Sequence, residues 1–210
     1  EAMCGPMSKA LLVSQVLPLL NGVEDKMRKG ARVIDVGCGT GLAIELLADS
    51  FPESTFIGYD PSSRAIAVAR ERFSSYENVE LFAIGAESIP DSADADFVMT
   101  LDCLHDMPRP DLALKAIHGA LKEDGTLLVK EIKSSATWTD NLRNPVLALM
   151  YATSITTCLS SAMSDTDTLG LGTLGLNPDL LSAMIKEAGF TFFYQHKVED
   201  PTNLYYEIRL

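Results

Sequence analysis

Between Val33 and Ile132 the chain alternates short apolar runs with stripes of apolar residues at helical spacing. Val33–Val36, Thr55–Asp60, Val79–Ile84, Asp96–Leu101 and Thr126–Ile132 have the length of strands and are too short to form full helical stripes. The segments between them read as helices. Leu42–Ser50 places Ile44, Leu47 and Ala48 on one side, with Phe51 beyond. Pro61-Ser62-Ser63 suits a helix's first turn, and that helix buries Ile66, Ala69 and Phe73. Leu114, Ile117 and Leu121 stripe the next helix, and Asp124-Gly125 makes the turn into the fifth strand. Alternation of this kind predicts a parallel sheet with helices on both faces. The fourth run is apolar, as a strand buried on both sides should be.

The pattern changes after Ile132. Ser134–Asn177 contains no strand pattern; Asn141–Ala162 reads as helical, interrupted at Pro145, and Leu169–Leu176 as a glycine-punctuated loop. Pro178–Ala188 is a helix stopped by Gly189. Phe190–His196 and Leu204–Leu210 alternate as two strands that pair antiparallel. At the other end, Ser8–Leu20 reads as an amphipathic helix. Ser14, Gln15 and Pro18, with no basic leader, set it apart from a signal peptide or a membrane span. The expected architecture is α/β: a mostly parallel seven-stranded sheet with an antiparallel C-terminal strand. A single domain covers 1–210, with 1–30 as an N-terminal helical segment and 134–177 as an insertion that covers the substrate side.

Composition narrows the function. The 210 residues suffice for one domain with a full core and a modest appendage. A net charge of −12, with Lys and Arg scattered, disfavours nucleic acid as a partner. Cys4, Cys38, Cys103 and Cys158 lie far apart with no C-x-x-C, so neither a metal site nor a disulfide framework is expected, and a reducing cytoplasm fits.

The candidate chemistry begins at Val36-Gly37-Cys38-Gly39-Thr40-Gly41-Leu42. Glycines there permit a tight turn and close approach of a ligand to bare backbone, and the helix start offers N–H groups to an anion. A dinucleotide fold calls for G-x-G-x-x-G; here Leu42 stands where its third glycine would be. Asp60 ends the second strand about 20 residues beyond the glycine turn, where a carboxylate can accept hydrogen bonds from vicinal ribose hydroxyls. Asp35 precedes the turn, orienting the loop or reaching a cofactor through water. Leu101-Asp102-Cys103-Leu104-His105-Asp106-Met107 leaves the fourth strand at the topological switch point, where ligands of open parallel sheets bind. His105 is a candidate general base there, with Asp106 or Asp102 to hold its tautomer. His118 and His196 read as structural or solvated.

Together these pieces resemble the class I S-adenosylmethionine-dependent methyltransferases over roughly Arg32–Ile132: a motif I loop, a ribose acid, a fourth-strand segment and Leu121–Val129 before the fifth strand, all in order. The resemblance implies a Rossmann-like methyltransferase fold and S-adenosylmethionine as cofactor, with S-adenosylhomocysteine as product. It assigns Gly37, Cys38, Gly39, Thr40 and Gly41 to the methionine part of the cofactor, Asp60 and Pro61 to the ribose, and Ala86 and Glu87 to the adenine; Asp102 and His105, by their place at the switch point, are expected near the transferable methyl, with Cys103 a further cofactor contact. That family often has Asp before the Ala, and this chain has Gly85. Leu104-His105-Asp106 is similar to the segment of small-molecule O-methyltransferases whose His is the general base, with Met107 where a Trp usually follows. Asp102–Met107, Asn141–Val146 and Tyr151–Cys158 are similar to a group of methyltransferases that commonly carry a winged-helix-like N-terminal domain. The chain starts at Glu1 without such a domain, so it is expected to be the catalytic part alone. The reading is a methyltransferase acting on a small-molecule oxygen or nitrogen, with no membrane partner and a homodimer left open. The alternatives are a non-catalytic, cofactor-sensing regulatory domain of a larger winged-helix protein, a nicotinamide-dependent oxidoreductase, and an enzyme acting on basic peptides.

Overall fold

In the computed structural model, which describes residues 9–210, the apolar runs become strands. They are β1 Arg32–Val36, β2 Thr55–Tyr59, β3 Val79–Phe82, β4 Ala95–Leu101 and β5 Leu121–Ile132. The alternating C-terminal runs give β6 Phe192–His196 and β7 Asn203–Arg209. One seven-stranded sheet has the order β3-β2-β1-β4-β5-β7-β6. β1 to β5 pair in parallel, and β7 runs antiparallel to both β5 and β6.

Successive side chains of a strand point to opposite faces, and this divides the interior into two cores. Val33, Phe56, Phe97 and Leu128 face one; Ile34, Ile57, Val98 and Leu127 face the other. The helices Leu42–Ser50 and Ser63–Arg72, together with residues 11–27, close the first core. The helices Pro110–Ala120 and Pro178–Glu187 close the second. Fully buried side chains such as Leu47 and Ile117 each stabilise the fold by about 1.5–3 kcal/mol. Ser62 caps its helix by accepting the N–H of Ala65, and Asn177 does the same with Leu180.

Four elements differ from the sequence pattern. The N-terminal segment is not one regular helix: Leu12–Val16 is a π-helical turn, Leu17–Leu19 a 3-10 turn and Val23–Arg28 a short helix. Pro18, which lacks an N–H and clashes in a helix interior, sits in the 3-10 turn. Ser8 and Cys4, named above, lie outside the described residues. Leu121 opens β5 instead of closing a helix: it pairs with Ala95, and the ladder resumes at Thr126 opposite Phe97 after an irregularity. Asn141–Ala162 splits into helices Trp138–Asn141, Leu147–Thr156 and Cys158–Ala162. Pro145 disfavours helical backbone at Asn144, and Thr157 breaks the chain again at φ −132, ψ −78. Gly172–Gly175 forms a helical turn inside the glycine-rich stretch. Among the described residues, no helix is long and apolar enough to cross a membrane.

Candidate functional site

The carboxyl ends of β1, β2 and β4 open on a cavity of about 660 Å³. β1 and β4 are neighbours in the sheet although β2 and β3 intervene in sequence, so the cavity sits at the crossover between the two halves.

The turn after β1 is held by β2. The N–H groups of Gly37 and Cys38 donate to the carbonyl of Tyr59 at 2.8 and 3.1 Å. Gly39 N–H donates to Asp60 Oδ2 at 2.9 Å, and Gly41 N–H to the carbonyl of Cys38 at 2.9 Å. Tyr59 and Asp60 thus accept the N–H groups of Gly37, Cys38 and Gly39, and the Gly41 N–H turns back on the loop itself. Gly37 has φ +73, and a Cβ there would lie 2.8 Å from the Cβ of Cys103. Gly41 has φ +86, and a Cβ there would lie 2.4 Å from the ring of Phe73. Both positions therefore require glycine. Asp60 spends its other oxygen on the N–H of Ser62 at 2.8 Å. One carboxylate thus ties the glycine turn to the start of the next helix.

Of the sequence-predicted residues, Gly37, Asp60, Pro61, Ala86, Glu87, Asp102 and Cys103 line the cavity. Asp35, Cys38, Gly39, Thr40, Gly41 and His105 are not part of that lining. Asp35 is buried in β1; burial first, then the charge of Asp60, pushes its carboxyl up to about 8, so it is largely protonated near neutrality. Burial also raises the Cys38 and Cys103 thiols; Cys103 donates to the carbonyl of Val36 at 3.1 Å. Gly85 leaves room that the Glu87 carboxylate fills, since a Cβ at Gly85 would lie 2.3 Å from Glu87 Oε1. Asp102 has φ +57, an uncommon conformation for a residue with a side chain. Its carboxylate accepts from Lys130 Nζ and Asn203 Nδ2, and its N–H donates to the carbonyl of Lys130 at 2.9 Å.

His105, predicted as a base, is only 3% exposed. Its Nδ1 lies 2.5 Å from Glu131 Oε2 and its Nε2 lies 3.2 Å from Asp106 Oδ1. Burial by itself opposes protonation. The charge of Glu131, hydrogen bonds to Cys158 and Glu131, and the charge of Asp106 outweigh it and raise the imidazole to about 11. Glu131 and Asp106 thus favour the protonated ring. Asp106, its neighbour, does line the cavity. Of the other histidines, His118 packs edge-on against Phe190 and His196 pairs with Glu207 at 2.8 Å.

The rest of the wall departs most from the sequence pattern. The 134–177 insertion, expected to cover the substrate side, has Trp138, Met150, Tyr151 and Met163 among its bulky apolar residues. None of them lines the cavity, and Trp138 is 57% exposed, packed against Tyr151. Ser161, Ser164, Asp165 and Asp167 line it instead, facing Met107, Arg109 and Leu112. Arg109 donates to both oxygens of Asp111, at 2.8 and 2.7 Å, and to Asp167. Lys130 and Glu131 escaped the sequence reading, yet they had a signal: two adjacent charges near the end of an otherwise apolar strand. Strand alternation sends Lys130 to Asp102 and Glu131 to His105. Asn203, Arg109 and Cys158 had no comparable signal.

Residues 27–189 match the family model of a methyltransferase domain. The chain is 30% identical over 175 residues to the trans-aconitate 2-methyltransferase of Variovorax paradoxus, covering 82% of this chain and 64% of that relative. In structure it is similar to an O-methyltransferase family protein from Burkholderia thailandensis (TM-score 0.69, 19% identity, 99% of this chain and 56% of that one). It is also similar to human N-acetylserotonin methyltransferase in complex with S-adenosylmethionine (TM-score 0.62, 19% identity, 85% and 47%). The chain thus spans less than two thirds of the length of each of these proteins.

Proposed function

The chain belongs to the class I S-adenosylmethionine-dependent methyltransferases, and from that premise we propose that it methylates an oxygen or nitrogen of a small molecule held in the cavity, releasing S-adenosylhomocysteine. One observation carries the reading: a single cavity is lined both by Asp60 at the end of β2 and by Asp102 and Cys103 at the switch point, with the 161–167 segment supplying further wall.

The residues fit the cofactor. A carboxylate has about four acceptor positions, and the two backbone bonds of Asp60 leave two for a ribose diol. Gly37 presents backbone without a side chain. Asp60, Glu87, Asp102 and Asp106 make the wall acidic, which suits a sulfonium cation. In this reading Asp60 and Pro61 hold the ribose, Ala86 and Glu87 the adenine, and Gly37 with Asp102 and Cys103 the methionine end. Cys38, Gly39, Thr40, Gly41 and neutral Asp35 support the loop from behind. When bound, the cofactor supplies an electrophilic methyl group.

The protein's own part is alignment. His105 is a positioning residue in this reading: the imidazolium, anchored by Glu131, fixes Asp106 at the wall. The 134–177 segment covers the acceptor, and residues 11–27 buttress one face of the sheet. The Variovorax and human relatives are named for small acceptors, which supports a small molecule here. The free thiols Cys38, Cys103 and Cys158 suit a cytoplasmic setting.

The test is a calorimetric titration with S-adenosylhomocysteine, with NAD as control, followed by labelled methyl transfer to a panel of hydroxylated, aminated and carboxylate compounds. Binding of S-adenosylhomocysteine alone and labelling of at least one acceptor are expected. NAD binding instead would overturn the cofactor assignment. Cofactor binding with no labelled acceptor would shift the reading to a regulatory domain.

A further inference from the structure

At the edge of the cavity, His105, Asp106 and Cys158 bring a ring nitrogen, a carboxylate oxygen and a thiol sulfur within 4.8 Å of one another. The fold assembles them from two places. His105 and Asp106 lie in the 3-10 turn after β4, and Cys158 opens a helix just past the break at Thr157.

Three features set this group apart from a chance cluster. First, Glu131 is buried; its Oε2 lies 2.5 Å from His105 Nδ1, and its Oε1 accepts the N–H of Leu104 at 3.0 Å. A carboxylate on the far ring nitrogen is the outer-shell partner that orients a metal-ligating histidine. Second, Asp106 Oδ1 is buried and lies 3.2 Å from His105 Nε2 as an ion pair without hydrogen-bond geometry. Two donor atoms 3.2 Å apart subtend about 100° at a cation about 2.1 Å from each, close to the tetrahedral angle. Third, Cys158 is a free, half-buried thiol whose sulfur comes within 4.8 Å of both other donor atoms.

We propose that His105 Nε2, Asp106 Oδ1 and Cys158 Sγ form a three-ligand site for a zinc-type divalent cation, with Glu131 fixing the imidazole. One sulfur, one nitrogen and one oxygen suit Zn²⁺ or Co²⁺ far better than Mg²⁺ or Ca²⁺. Loading replaces protons: Nε2 and Sγ each release theirs to solvent as the cation takes their place. Three protein ligands leave a fourth position for water. Cys158 stands about fifty residues from the adjacent His105 and Asp106 in sequence, so no motif announces the site.

The experiment is titration of the chelator-stripped full chain with Zn²⁺ against a chromophoric chelator, and with Co²⁺ by absorbance. One cation per chain is expected, with a thiolate-to-cobalt charge-transfer band and intense tetrahedral visible absorption. Cys158→Ser should remove the band and weaken Zn²⁺ at least 100-fold. Asp106→Asn should weaken Zn²⁺ while keeping the band, and Glu131→Gln should weaken it by about 10–100-fold. Cys4→Ser and Cys103→Ser should leave binding unchanged. Far-UV circular dichroism and melts without metal check that each variant folds. Absence of the band in the folded parent chain, its survival in Cys158→Ser, or its loss on removing Cys4 or Cys103 would each overturn the site. None of these readouts depends on methyl transfer or cofactor binding.

Discussion

Asp60 carries a double burden, and this makes its replacement a quantitative probe. One oxygen holds Gly39 N–H at 2.9 Å and the other Ser62 N–H at 2.8 Å, and the remaining acceptor positions are those assigned to the ribose. Asp60→Ala removes all of them. A hydrogen bond to a charged group contributes about 1.5–3 kcal/mol, so two lost ligand bonds amount to at least about 3 kcal/mol, or about 100-fold in Kd. Loss of the two backbone anchors adds to this, because the turn is no longer tied to the next helix. Asp60→Asn keeps one acceptor oxygen but sets an amide N–H against one of the two backbone N–H groups, so its loss should be intermediate. The assay is the calorimetric Kd of S-adenosylhomocysteine at fixed salt, with a thermal melt of each free variant. A Kd for Asp60→Ala within threefold of the parent, on a folded chain, would refute the ribose assignment.

Two further outcomes follow from the same loop. Gly41→Ala forces a side chain onto φ +86 with its Cβ 2.4 Å from the Phe73 ring; left-handed strain and crowding together should cost about 2–5 kcal/mol in denaturant unfolding, and a loss below about 1 kcal/mol would contradict the packing described. Asp35 titrates near 8 in the fold against 3.8 as a free side chain. Between those values the folded state keeps a proton that the unfolded state has lost, so this group's stabilisation falls by about 1.4 kcal/mol per pH unit as pH rises from about 4 to about 8. Asp35→Asn should flatten that slope by this amount in unfolding titrations across the range, and an unchanged slope would show that Asp35 ionises freely in the fold.

The strands, the two-sided sheet and the glycine turn were legible in the sequence because each is encoded by near neighbours. Apolar spacing selects strand or helix within a few residues, and the left-handed backbone of Gly37 and Gly41 narrows the residue choice at the position itself. Asp60 was legible for the same reason, being fixed by where β2 ends. What the loop does with its donors was not. Tyr59 and Asp60 reach it across the sheet and take the N–H groups of Gly37, Cys38 and Gly39. The surroundings of His105 and Asp102 were set the same way. Glu131, the partner of His105, lies 26 residues away, and Asn203 holds Asp102 from a distance of 101. The polar wall at Ser161–Asp167 and the approach of Cys158 to His105 depend on a helix breaking at Thr157. Protonation state and access are set by burial and by charges within a few ångströms, and those neighbours are brought together only when the chain packs.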